Sequence, residues 1–233
     1  LESVKTCADE IILVDSFSED NTCEIAENFG AKVVKQSFLG YVEQKNFALA
    51  QAHFPWILSL DADEAIDARL AQEILEIKAS QKLDKAFIIN RLNSYAGQWI
   101  HHGAWNPDWK IRLFPKNKGC WKGLNPHDKY EPFPEIETIE LKGKILHWSY
   151  DSVRSHQEKI QKFARIGAEA YFKAGKKPFV GNAIFSAGFR FFRDYFLKLG
   201  FLDGKAGFTI AWLTAKEVHL KYQMLHRLWE KNG

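Results

Sequence analysis

Two carboxylates one residue apart close an apolar stretch: Trp56-Ile57-Leu58-Ser59-Leu60 runs into Asp61-Ala62-Asp63-Glu64. Carboxylates placed alternately along an extended segment that enters a loop can bind a hard divalent cation that keeps some of its waters. Such a cation would bridge a diphosphate. Another carboxylate, Asp15, ends the apolar run Ile11-Ile12-Leu13-Val14, and Lys45 falls between the two in Gln44-Lys45-Asn46-Phe47. Further on stand Arg112, the pair His127-Asp128, and His147.

Each group also has a plain reading. An acidic strand-to-helix turn is favoured near a helix N-terminus without any metal. Asp15 can be a turn residue, Lys45 a solvated helix charge, His127-Asp128 a polar loop pair and His147 a strand-end histidine. Arg112 can fork onto a diphosphate or pair with a structural carboxylate. Trp99, Trp105, Trp109 and Trp121 can stack on sugar faces or fill cores, and only their place in an aperiodic segment favours binding. His101 and His102, in the same segment, read as loop residues rather than metal ligands.

The elements that must position these residues alternate. Short apolar runs at 10–15, 32–35, 56–61 and 86–90 predict strands, and amphipathic stretches at 21–29, 43–52 and 67–79 predict helices between them. Asn21 is the expected N-cap of the first helix and Gly30 its stop. Strands and helices alternating at this length predict an α/β fold with a mostly parallel sheet flanked by helices. Ligands of such sheets collect at the carboxyl ends of the strands, where Asp15 and Asp61 both sit. Residues 93–135 are rich in Trp, His, Gly, Pro and Asn, the texture of functional loops. One more strand is expected at 139–147, then helices at 152–173, 182–199 and 207–230. The expected domains are a catalytic unit over 1–150 and a helical extension over 151–233.

Composition excludes several classes. With 46% hydrophobic and 26% charged residues among 233, the chain is a folded protein, not a disordered tail. A formal charge of +3 is too small for nucleic acid to be the main partner. Cys7, Cys23 and Cys120 are odd in number and lack CxxC spacing, which argues against a disulfide framework or structural zinc and fits a reducing cytosol. No apolar run approaches the ~18 to 20 residues needed to span a bilayer.

Three motifs occur in order: Ile11 to Thr22, then Gly40 with Gln44-Lys45-Asn46-Phe47-Ala48-Leu49, then Leu60-Asp61-Ala62-Asp63-Glu64. Together they resemble the nucleotide-binding half of glycosyltransferase family 2, whose fold is GT-A and Rossmann-like. The resemblance implies that Asp15 hydrogen-bonds the donor base, Lys45 lies near base and diphosphate, Asp61 faces the ribose or metal waters, and Asp63 ligates a Mg2+ or Mn2+ ion. A strand-end carboxylate can accept from a uracil imide N–H, and an ammonium suits a site beside phosphate.

Residues 99–149 resemble one branch of that family, the lipopolysaccharide core and related envelope transferases. The residues that carry this are Trp105-Asn106-Pro107-Asp108-Trp109, Arg112-Leu113-Phe114, Trp121, Pro126-His127-Asp128 and Leu146-His147-Trp148-Ser149. In that branch the position after the histidine is usually Glu and deprotonates the acceptor hydroxyl, which implies that role for Asp128. Arg112, Trp105 and His127 are expected to contact substrate, and His147 to be a third metal ligand beside Asp61 and Asp63. The expected reaction is inverting transfer of a hexose, glucose by analogy with the branch alone, from a UDP-sugar to a lipid-linked or core saccharide.

The C-terminal third supports a membrane-facing role. Residues 185–199 combine many aromatics with Arg190, Arg193 and Lys198, a composition suited to the membrane interface or to a helix packed with snorkelling stems. Gly200 to Phe208 resembles the branch, whose C-terminal helices sit at the inner membrane surface; the expected location is cytoplasmic and peripheral on that membrane. Two other classes fit parts of the pattern. A phosphatase of the haloacid dehalogenase type also carries Asp-x-Asp at a strand end, but usually on the first strand, and leaves Asp15 and Lys45 unexplained. The other is a non-catalytic nucleotide-sugar or membrane-binding module. Family members begin with a further strand before a helix whose end resembles Leu1 to Cys7, so roughly 20 additional upstream residues are expected.

Overall fold

The apolar run at 11–14 forms strand β1 (Ile12–Asp15), which pairs in parallel with β2 (Lys32–Lys35) and sets Asp15 opposite Lys35. The computed structural model describes residues 1–80, 84–123, 128–178 and 181–232. Helix α1 (Thr22–Asn28) joins these strands. The expected Asn21 side-chain cap is not made; instead Asp20 accepts from the Thr22 amide at 3.0 Å. An aspartate one residue earlier does the same job of satisfying an orphan N–H. Gly30, at φ +77°, lets the chain turn out of the helix.

Next come α2 (Tyr41–Gln51), β3 (Trp56–Leu58), β4 (Glu64–Ile66), α3 (Ala68–Ser80), β5 (Lys85–Tyr95) and β6 (Gln98–Trp99). Strands β7 (Trp109–Pro115), β8 (Gly119–Lys122), β9 (Lys129–Pro132) and β10 (Glu137–Tyr150) precede helices α4 (Val153–Lys173), α5 (Asn182–Phe192) and α6 (Gly204–Asn232). The α/β class and the C-terminal helices expected from the sequence are both present. The larger sheet has the order β3-β7-β5-β10-β4, with β6 on β5, and β8 pairs with β9. Its described ladders β3–β7, β5–β7, β5–β6 and β4–β10 are antiparallel, so parallel pairing is seen at β1–β2. Among the described residues no α-helix intervenes between β5 and β10, and antiparallel neighbours need no crossover.

The chain divides into two compact units, one of residues 1–91 and 108–147, the other of 92–107 and 148–233. The second unit thus takes an insert, 92–107, from the middle of the chain.

In the first unit α3 seats on the sheet. Asp67 caps it, accepting from the Leu70 amide at 2.7 Å, and Leu70 and Ile74 then bury against Phe87, Ile89, Leu113 and Ile145. A side chain at Gly143 would run into the Leu70 backbone, so glycine is what allows α3 to lie directly on β10. A second cluster stacks Phe114 on Tyr130, ring centroids 3.5 Å apart, with the Trp121 edge against both.

In the second unit Ser152 caps α4 through a reciprocal bond pair with Ser155. The buried face of α4 is His156, Ile160, Ala164 and Ala168, a strict four-residue spacing that makes one ridge for α6. Helix α5 buries no residue, and a π-turn, Arg193–Leu197, follows it. Among the described residues no helix is long and apolar enough to cross a membrane.

Candidate active site

Helix α2 delivers Lys45 to the site, and its two neighbours explain how. Gln44 Nε2 donates to the Val14 carbonyl (3.3 Å) and to Ser16 Oγ (3.0 Å), tying α2 to the end of β1. Asn46 exchanges two bonds with the Trp121 backbone, donating to its carbonyl at 2.9 Å and accepting from its amide at 3.0 Å. The Trp121 ring is thereby fixed under Lys45, whose Nζ is 4.6 Å from the ring centroid. Trp121 is itself 4% exposed, so it supports a cation rather than offering a face to a sugar.

Lys45 meets two carboxylates, Asp61 at 3.0 Å and Asp128 at 2.7 Å. From Asp61 an unbroken line of ion pairs runs inward. Asp61 takes Arg112 at 2.8 Å; Arg112 also meets Glu64 at 3.2 Å; Glu64 takes Arg91 at 3.0 Å. Arg91 continues to Asp108 at 2.8 Å, and Asp108 to Lys110 at 3.0 Å. The line alternates in sign throughout. The Glu64 side chain, fully buried, sits at its centre, and its second oxygen accepts from the Asp61 amide at 2.9 Å. A carboxylate with no access to water survives only when paired and hydrogen-bonded, and Glu64 has all three partners it needs.

These partners set the charge of Asp61. Burial pushes its carboxyl pKa up, but the Arg112 and Lys45 charges outweigh burial and hold it well below the usual carboxylate range. Asp15 is 4% exposed and accepts from the Ser18 amide and hydroxyl; the Ser18 hydroxyl bond is the main cause of its lowered pKa, against burial. It therefore stays ionised at the end of β1, where Cys23 and the Phe17 amide also lower its pKa.

Asp63 points elsewhere. Its Oδ2 lies 3.3 Å from His147 Nε2, and this bond is the first cause of its lowered pKa, ahead of the opposing burial. The partner is supplied by β10, where His147 lies opposite Glu64 of β4. Asp63 and His147 thus meet as a hydrogen-bonded pair, the two groups that remain of the expected ligand set. Asp61, the other expected ligand, gives its oxygens to Arg112 and Lys45 instead. Among the described residues no group of three His, Cys, Asp or Glu side chains forms a metal cage.

The expected site residues thus fall into three groups. Lys45, Asp61, Asp128 and Arg112 come together, with Asp63 and His147 adjoining through the loop 61–63; Asp15 is tied to α2 through Gln44 and the β1 end. Arg112, 4% exposed at its side chain, takes the carboxylate-pairing alternative. Trp105 belongs to the second unit, stacked on Tyr150 (centroids 5.7 Å, 24°) and edge-on to Tyr95. His101 and His102 are there too, their amides donating to the buried Asp203. His127 lies outside the described residues.

Glu64, Arg91 and Asp108 were not foreseen as members of the site. A signal existed, because charged residues set inside apolar strands, as in Ile89-Asn90-Arg91-Leu92, rarely stay there unless paired.

Comparison with known proteins bears on what this arrangement serves. A family model described as Glycosyl transferase family 2 matches residues 1–132. An uncharacterized glycosyltransferase of Rickettsia bellii is 32% identical over 98% of this chain and 81% of its own length. The lipopolysaccharide core biosynthesis glycosyltransferase LpsC of Rhizobium meliloti is 25% identical over 97% of this chain and 88% of its own. Among solved structures, S. aureus TarS in complex with UDP-GlcNAc has a TM-score of 0.47 at 13% identity, covering 99% of this chain and 86% of that one. With the family model spanning more than half of its residues and a relative aligned along nearly all of it, the chain belongs to glycosyltransferase family 2 and is a glycosyltransferase.

Proposed function

We propose that this glycosyltransferase moves a hexose from a UDP-sugar to a lipid-linked or core saccharide by a single inverting displacement. The observation that supports it most is the joining of Asp61 and Asp128 through one lysine, which sets a donor-side and an acceptor-side carboxylate beside a common cation. Asp15 accepts from the base, Lys45 faces the diphosphate, and Asp61 faces the ribose. Asp128 takes the proton of the acceptor hydroxyl; that oxygen then bonds to the anomeric carbon as the bond to the β-phosphate oxygen breaks and its electron pair leaves with UDP. Asp63 and His147 would hold a Mg2+ or Mn2+ ion, whose contribution is to neutralise charge on the leaving diphosphate.

The saccharide would be presented at an anionic membrane surface. Phe185 is 79%, Ile184 72% and Phe189 63% exposed on α5, a contiguous apolar face with Arg190 and Arg193 alongside. Bulky apolar residues with flanking cations suit the headgroup boundary.

A screen of UDP-hexoses against core saccharide and lipid-linked acceptors tests the reading. Transfer is expected only with Mn2+ or Mg2+, with Asp63→Asn removing the metal dependence of UDP-sugar binding and Asp128→Asn stopping turnover. Equal UDP-sugar affinity with and without metal would remove Asp63 from its role, and turnover retained by Asp128→Asn would move the base elsewhere.

A further inference from the structure

Lys45 ends between carboxylates that, on the reading above, belong to opposite partners of the reaction. An ammonium has three N–H donors. Two are committed, to Asp61 and Asp128, and the Trp121 ring closes another side at 4.6 Å. The side chain is only 15% exposed, so a phosphate oxygen that approaches Nζ does so in competition with these two carboxylates.

Position decides which one yields. Asp61 lies on the donor side, so Lys45 can turn toward a diphosphate and stay within its reach, and Arg112 remains on Asp61 at 2.8 Å in any case. Asp128 lies on the acceptor side, and among the described residues Lys45 is the one cation ion-paired with it. Loss of that contact leaves the Asp128 carboxylate without a counter-charge and in need of a donor, which an acceptor hydroxyl supplies.

We propose that Lys45 is a clasp for which the donor diphosphate and Asp128 compete, so that donor binding draws the lysine off the base and frees it for the acceptor. This rests on the UDP-donor reading of the site. Without donor the base stays tied, which explains why a single lysine spans both carboxylates.

Competition of this kind has a thermodynamic signature. If donor binding breaks the Lys45–Asp128 contact, the cost of breaking it is subtracted from donor affinity, and removing the Asp128 charge returns it. The test is calorimetric titration of the full chain with UDP at fixed Mn2+, in wild type, Asp128→Asn, Lys45→Met and the double variant. The clasp predicts that Asp128→Asn binds UDP about fivefold more tightly. Lys45→Met should bind more weakly, and the double variant no more tightly than Lys45→Met alone. UDP affinity that is unchanged or weaker in Asp128→Asn overturns the clasp. A gain that persists in the Lys45→Met background also overturns it, because the carboxylate would then be repelling phosphate directly. Should Asp128→Asn melt at lower temperature than wild type, Asp128→Ser repeats the measurement with a smaller polar side chain. Failure of the wild type itself to bind UDP would sink the donor reading and the clasp with it, whereas wild-type binding without the Asp128→Asn gain removes the clasp alone.

Discussion

In the first unit the rings lie under the charges. Trp121, 4% exposed, supports Lys45 and Arg112, and behind it Phe114 and Tyr130 stack out of water. Around α5 in the second unit the order is reversed. There Asp194, 2% exposed, gathers Arg190 at 2.6 Å and Arg193 at 2.7 Å, while Phe185, Phe189 and Phe192 face outward. Both regions bring arginine, aspartate and aromatic side chains together, the first from elements far apart in the chain and the second from one segment. What differs is where the rings go: under the charged groups in the first unit, toward solvent around α5 in the second.

The largest effect should come from breaking the interior of the first unit. Glu64→Ala removes the fully buried carboxylate on which Arg91 and Arg112 converge, leaving Arg91 with Asp108 and Arg112 with Asp61 as their remaining counter-charges. Such a loss costs about 3–5 kcal/mol, and chemical denaturation should register it as a lower midpoint. A cost under about 1 kcal/mol would make the line of ion pairs a surface network and erase the contrast with α5.

How far these regions could be read from sequence follows from the same contrast. Asp15, Lys45, Asp61 and Asp63 were singled out because their motifs stand in one order along the chain, whereas each alone also fits a turn residue or a solvated charge. Glu64 and Arg91 were not, because their task is defined by each other across 27 positions of chain. Trp105 and Trp121 looked like sugar platforms, since an indole in an aperiodic segment has the same signature whether it faces solvent or core. Strands β1, β2, β3, β5 and β10 and the helices follow the periodicity, whereas β7, β8 and β9 lie in residues 93–135, which read as loops; among the described residues no α-helix between β5 and β10 makes strand direction readable. The insert 92–107 joined the second unit through Tyr95, Ile100 and Trp105 packing with Ile210, contacts more than a hundred residues apart that no local pattern announces.

A smaller effect, confined to the second unit, tests how dry its interior is. His156 is 4% exposed, 3.2 Å from the Tyr95 hydroxyl and against the Tyr150 ring. Burial, helped by the Lys159 charge, pushes its pKa down to about 4, from about 6.5 when unfolded. Between those values the unfolded chain binds the proton and the folded chain does not, so stability is lost as pH falls from about 6.5 toward 4. The expected loss from about pH 7 to pH 5 is no more than about 2 kcal/mol. His156→Gln should flatten that slope in thermal melts. An unchanged slope would assign acid sensitivity to other groups.

The smallest effect on stability, and the sharpest test of the comparison, lies at α5. Phe185 and Phe189 stand 79% and 63% exposed, so replacing both with Ser removes little buried area and should change stability by under about 0.5 kcal/mol. If the outward rings serve a membrane surface, the same double substitution should sharply lower retention on vesicles containing anionic lipid. Arg190→Gln should lower retention less, because its charge is already paired with Asp194. If instead the rings were an interior face, the phenylalanine variant would melt early and bind vesicles as before. Apolar surface left outside a protein costs solubility and contributes nothing to its fold, so a chain that ties its arginines inward and leaves its phenylalanines out has arranged that helix for something other than its own core.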